Sequence, residues 1–150
     1  MPIVNITLRE TKAVRNIIKA DIIKPSARSN DIKIDDVREL KSFGRENNGV
    51  IIDFVYAVKY ELKEPKDQNL GEILVKGEIV YVNTKDEISK VVDEWKKNKK
   101  LEPKLMVGIL NAAMNKSQIE AIEQAAKVGL PSPIPLPSLK PEKQGKSSAS

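Results

Sequence analysis

The hydrophobic pattern is clearest over residues 48–83. Val50, Ile52, Phe54, Tyr56, Val58, Tyr60 and Leu62 alternate with Ile51, Asp53, Val55, Ala57, Lys59 and Glu61. Successive side chains leave a strand on opposite sides, so this period of two predicts a strand with one buried and one mixed face. A second strand is predicted from about Leu70 to Asn83, with Ile73, Val75, Gly77, Ile79 and Tyr81 on one side. Pro65, Asp67 and Asn69 lie between the two and favour a turn. The pair reads as a long antiparallel hairpin.

Upstream, residues 3–8 read as a short strand with Val4, Ile6 and Leu8 on one face. The period then changes: Val14, Ile18 and Ile22 are spaced by four, which predicts an amphipathic helix over residues 9–24. The β-branched pairs Ile17-Ile18 and Ile22-Ile23 suit a continued strand instead. Pro25 ends either element, since it lacks an amide donor and restricts Lys24. Residues 26–30 read as a polar loop. Ile32, Ile34 and Val37 open another strand that runs to Leu40 and Phe43, and Asn47-Asn48-Gly49 supplies a turn.

Helices are predicted after Asn83. Thr84 and Glu87 have capping-box spacing, followed by an apolar stripe of Ile88, Val91, Val92 and Trp95. Pro103 fits a first helical turn, and Leu105, Met106, Ile109, Leu110, Ala113 and Met114 give the next buried face. A second capping-box match at Ser117–Glu120 leaves two readings open: two helices broken near Asn115, or one long helix. Gly129 is a natural C-terminal cap. Prolines then alternate through residue 137, which favours a polyproline II path, with Leu130, Ile134 and Leu136 placed to pack along a surface. The expected fold is α+β: an antiparallel β-sheet meander of about four strands with C-terminal helices packed on one face. Residues 1–139 form the single domain. The polar tail over 140–150 has no apolar anchor and is expected to be disordered.

Composition narrows the chemistry. There is no Cys and no His. Disulfides, thiolate nucleophiles, the usual zinc sites and histidine acid/base catalysis are therefore excluded. No carboxylates or lysines are arranged as a recognisable active site, so a non-enzymatic role without cofactors is expected. Asp35-Asp36 and Asp86-Glu87 are paired acids, but a strand start and a helix N-terminus explain them better than a magnesium site. The glycines make no phosphate loop. No apolar run reaches the ~20 residues of a membrane helix, and the N-terminus does not read as a signal peptide. A cytoplasmic location follows as an expectation. Abundant Ile, Lys and Glu would also suit a thermophile.

The net charge is +5 and the pI about 9.3, which brings RNA into consideration. The candidate contacts are Arg9, Lys12, Arg15 and Lys19 in one stretch and Lys96, Lys97, Lys99 and Lys100 in another. A solvated helix end is the plainer reading of the second group. With six aromatics in the chain, a base-stacking surface is not expected.

The order of elements is long antiparallel strands, a helix carrying Trp95, a long helix, then Gly129-Leu130-Pro131-Ser132-Pro133-Ile134-Pro135-Leu136-Pro137. In this it resembles the protein-export chaperone SecB and its SecB-like relatives over roughly residues 3–139. The resemblance implies a curved four-stranded sheet with helices on one face, a dimer-of-dimers assembly, and a groove for unfolded polypeptide. Phe54, Tyr56, Tyr60, Trp95, Leu130, Ile134 and Leu136 are the groove candidates it implies. Unlike SecB, which is acidic and has an aromatic-rich groove, this chain is basic and poor in aromatics. Two functions are therefore carried forward. One is a holdase for extended apolar polypeptide; the other is an accessory protein of a ribonucleoprotein, such as the ribosome, meeting rRNA or ribosomal proteins.

Overall fold

The computed structural model describes residues 3–40 and 46–134, the side chains of 25–27 excepted. Phe43, Leu136 and the tail over 140–150 lie outside them. The elements are β1 (Ile3–Arg15), β2 (Lys24–Leu40), β3 (Asn47–Glu64), β4 (Asn69–Thr84), α1 (Lys85–Asn98) and α2 (Pro103–Val128). The four strands form one antiparallel sheet in the order β1-β4-β3-β2, and both helices pack against it. The fold is thus α+β as the pattern predicts. Only β2, β3 and β4 run as a meander. β1 lies on the far side of β4, so residues 16–23 cross one end of the sheet to reach β2.

The β3–β4 hairpin is the spine. Val50 pairs with Tyr81 and Tyr60 with Gly71, and the alternating face predicted from Val50 to Leu62 is buried throughout. On β4, Ile73, Val75, Ile79 and Tyr81 are buried beside it. Gly77 is required by space. A Cβ there would stand 2.6 Å from the Phe54 ring and 2.6 Å from the Thr7 carbonyl oxygen. Phe54 lies over the missing side chain.

The helix predicted over 9–24 does not form. β1 continues to Arg15, pairing Ala13 with Ile73 and Arg15 with Gly71, and the crossover follows. Gly71 explains the extension: its lack of a side chain lets the β1 backbone approach, since a Cβ would fall 2.1 Å from the Val14 carbonyl oxygen. Strand pairing satisfies the backbone there, and the four-residue apolar spacing does not prevail. Asn16 prolongs the contact by donating from its backbone to Leu70 O (2.8 Å) and from its side chain to Asn69 O (3.0 Å). Register shifts at Val4 and Arg9 also change the first face. Ile3, Ile6 and Leu8 point inward, and Val4 stands exposed.

Residues 26–30 are not a loop but part of β2, where Arg28 pairs with Tyr60 and Asn30 with Val58. Pro25 lies near the start of this strand instead of ending the element before it. β2 is an edge strand, so a residue without an amide donor and a run of polar side chains are both tolerated. That tolerance removed the apolar alternation by which the strand would have been recognised.

Thr84 caps α1 by accepting from the Glu87 amide at 3.3 Å. Ile88, Val92 and Trp95 are buried against the sheet. Burial of each aliphatic side chain contributes roughly 1.5–3 kcal/mol. Lys99 ends the helix at φ 55° with its ammonium 5.5 Å from the Trp95 ring centre. α2 begins with Pro103 in the first turn, is capped by the Glu102 carboxylate, and runs unbroken through Asn115 to Gly129 at φ 76°. Its sheet-facing row changes from Leu105 and Ile109 to Ala113, Ser117, Ala121 and Ala125. The large residues pack in one core cluster with Val50, Ile52, Phe54 and α1, while Ala121 and Ala125 face Tyr56, Tyr60 and Ile73 in a second. Small side chains on α2 thus stand opposite large ones on the sheet.

Candidate functional site

The predicted polypeptide-binding residues are core. Phe54, Tyr56, Tyr60, Trp95 and Leu130 are each 6% exposed or less, and Ile134 is half-buried. Phe54 and Trp95 belong to the cluster under α1 and the start of α2. Tyr56, Tyr60 and Leu130 belong to the cluster under the end of α2. They do not line an open groove in this structure. Part of the predicted set fills the rest: the segment after α2 folds back over the tyrosines.

That segment is held by side chains. The Tyr60 hydroxyl donates to the Pro131 carbonyl at 2.6 Å, and the Asn30 amide donates to the Pro133 carbonyl at 3.1 Å. The Tyr56 hydroxyl donates to the Asn30 side-chain oxygen. Pro133 is fully buried. Burial pushes the Tyr60 hydroxyl up to about 12, against the pull of the nearby Arg28 charge and with the help of Tyr56. Burial also raises Tyr56, opposed by a hydrogen bond with Gln118 and by Arg28. Both phenols are thus held neutral as donors. The Arg28 Nε is buried beside them with no partner among the described residues.

The open apolar surface lies elsewhere. A groove of about 700 Å³ runs between α1 and the start of α2. Tyr81, Val91, Leu101 and Leu105 give it apolar lining, and Glu87, Lys90, Glu94 and Lys97 bring charges of both signs. At the opposite end of the sheet, the crossover leaves Ile17 84% exposed, with Ile22 and Ile23 also exposed and Val14 beside them at the end of β1. On the far side of α2, Val107 and Ile119 are exposed. The sequence pattern missed the groove because its lining comes from three separate elements. The isoleucines were visible as doublets, but a helical reading turned half of them inward.

The basic residues form two groups, not one surface. Lys96, Lys97, Lys99 and Lys100 are exposed at the end of α1. Arg15 and Lys19 lie near the β3–β4 turn, at the other end of β4, roughly 30 Å away for ten residues of strand. Arg9 stands at the β1 irregularity. Lys12 pairs with Leu74 on the face away from the helices, whereas the Arg15 side chain approaches Gly129 on the helix side. These four residues, grouped as one stretch of sequence, therefore do not share one face of the structure.

The outer face of the sheet carries an ion network. Arg38 donates to both Asp53 oxygens at 2.9 and 3.2 Å and lies 3.7 Å from Glu78. The hydrogen bond to Asp53 holds the Arg38 guanidinium firmly charged, outweighing partial desolvation. Asp36 pairs in register with Asp53, and Asp86 and Glu87 sit in the first turn of α1. Among the described residues no group of three acids is placed to hold a metal ion, and no helix is long and apolar enough to cross a membrane.

The geometry defines a class: an α+β protein with a four-stranded antiparallel sheet and two helices packed on one face, the other face uncovered among the described residues. Compared with known proteins, the chain matches no protein-family model and no curated protein.

Proposed function

We propose that this chain is a non-enzymatic, SecB-like binding protein of the cytoplasm. It works as a homo-oligomer and holds extended apolar segments of unfolded polypeptide. The observation that carries this reading is the cluster of exposed apolar side chains at the crossover end of the sheet, Val14, Ile17, Ile22 and Ile23, with Val107 and Ile119 on the far side of α2 and the α1–α2 groove as separate patches. An exposed apolar patch with charged neighbours, such as the one at the crossover, is the usual sign of a site for protein contact. Extended segments gain affinity there by apolar burial and by pairing with strand edges, and β1 and β2 are the edge strands among the described residues. The test is light scattering from a chemically unfolded client diluted without ATP. Stoichiometric protein should suppress aggregation, and Ile17→Asp with Val107→Asp should weaken suppression several-fold. Unchanged client aggregation at equimolar protein would sink the proposal.

One observation favours a second reading. Lys96, Lys97, Lys99 and Lys100 are all exposed at one helix end of a chain with net charge +5. Such a cluster contacts phosphates as point charges in a ribonucleoprotein. If all four neutralise phosphates of a single strand, log K should fall against log salt with a slope of about −3. Sedimentation of a lysate with and without nuclease separates the readings. Nuclease-sensitive movement with ribosomal particles favours RNA, and a free oligomer favours the holdase.

A further inference from the structure

We infer that the slot between the C-terminal half of α2 and strands β2–β3 is a binding site for extended, proline-containing polypeptide, with Leu130–Ile134 as its resident intramolecular occupant. The inference deepens the polypeptide-binding reading and rests on it. It gives that reading a built site and a strap that keeps the site closed.

The way the segment is held points to a ligand site. Proline has no amide hydrogen, so at Pro131 and Pro133 the backbone can be recognised only through its carbonyls. The slot does this with two side-chain donors, the Tyr60 hydroxyl on Pro131 and the Asn30 amide on Pro133. The two carbonyls are two residues apart, on a segment paired with no strand. Aromatic-lined grooves read polyproline II peptides by the same combination of carbonyl acceptors and apolar seats. Here the seats hold Leu130, packed with Tyr56, Tyr60, Ala121 and Ala125, and the fully buried Pro133. None of these contacts depends on the covalent link to α2.

Two further features fit an exchangeable occupant. Asn30 is exposed on the edge strand, so the rim of the slot is open to solvent. Arg28 adds a buried guanidinium donor without a partner among the described residues, close enough to lower the hydroxyl pKa of both tyrosines. A segment from another chain with the pattern apolar-Pro-small-Pro-apolar would present the same carbonyls and the same two seats. The sequence repeats that spacing once more at Pro135 and Pro137.

The experiment uses the full chain and a fluorescent peptide, Gly-Leu-Pro-Ser-Pro-Ile-Pro-Leu-Pro, read by anisotropy. The strap is released by Leu130→Asp with Pro133→Gly, which leaves the slot residues intact. The released protein should bind the peptide at least tenfold more tightly than wild type. Adding Tyr60→Phe and Asn30→Leu, or replacing the peptide prolines by glycine, should each remove most of that gain. A folded released variant that binds no better than wild type, or that binds the glycine peptide equally, overturns the inference. If the released variant does not fold, hydrogen exchange of the Leu130 and Ile134 amides is measured on wild type with excess peptide. Exchange accelerated at least fivefold supports displacement of the strap; unchanged exchange overturns it. Client aggregation is scored separately on wild type. Peptide binding without suppression therefore refutes the holdase reading, and suppression without peptide binding refutes the slot.

Discussion

Gly77→Ala sets two principles against each other, so the sign of the result is informative. Glycine in a strand interior is entropically unfavourable, and replacing it by alanine should gain about 0.5–1 kcal/mol if nothing else intervenes. The surroundings of Gly77 say otherwise. The added methyl would lie 2.6 Å from the Phe54 ring on one strand and 2.6 Å from the Thr7 carbonyl on another. Phe54 is 1% exposed and fixed beneath the helices, and the carbonyl is backbone, so neither can yield cheaply. Overpacking of a filled core costs about 1–3 kcal/mol, and two rigid neighbours place this case in the upper half of that range. A net loss of about 2 kcal/mol would lower a urea midpoint by about 1 M at a slope of ~2 kcal/mol/M. Phe54→Leu relieves one contact and not the other. In a double-mutant cycle the alanine should therefore cost less in the leucine background but still destabilise. A Gly77→Ala midpoint at or above wild type would refute the steric argument and with it the reading of how Phe54 is seated.

Two further outcomes follow from the titratable groups. Tyr60 ionises at about 12 when folded and, like an ordinary phenol, near 10 when unfolded. The unfolded chain thus loses its proton first as pH rises, so the stabilisation is fully present below about pH 10 and fades between about 10 and 12. Denaturation midpoints for wild type should fall across that window and those for Tyr60→Phe should fall less; parallel curves would contradict the buried-donor geometry. Arg38→Met leaves the Asp53 carboxylate, 8% exposed as a residue, without its hydrogen-bonding partner. A loss of about 1–3 kcal/mol is expected by chemical denaturation. Arg38→Met with Asp53→Leu should recover much of it, and equal midpoints for the single variant and wild type would show the pair to be idle.

The sequence by itself determined whatever depends on a neighbour a few residues away. The alternation from Val50 to Leu62 fixed which face of β3 is buried, because side-chain direction in a strand is set by the backbone alone. Thr84, Pro103 and Gly129 marked helix ends through local hydrogen bonding and φ preference. The lack of His and Cys limited the chemistry before any fold was known. Tertiary structure decided the rest, since it depends on pairing between distant segments. The stretch after Arg9 carries helical spacing, yet Gly71 lies some sixty residues onward and admits the backbone of β1, so a strand forms. Arg28 and Asn30 look like loop residues until pairing with β3 places them on an edge strand, where Asn30 meets Pro133 and the Tyr56 hydroxyl. The same holds for the candidate site. Residue types pointed to Tyr56, Tyr60 and the Pro-rich segment separately. Only the packing of α2 brings the segment down onto the tyrosines, because polar and apolar pattern records how much a residue prefers burial and not which surface buries it.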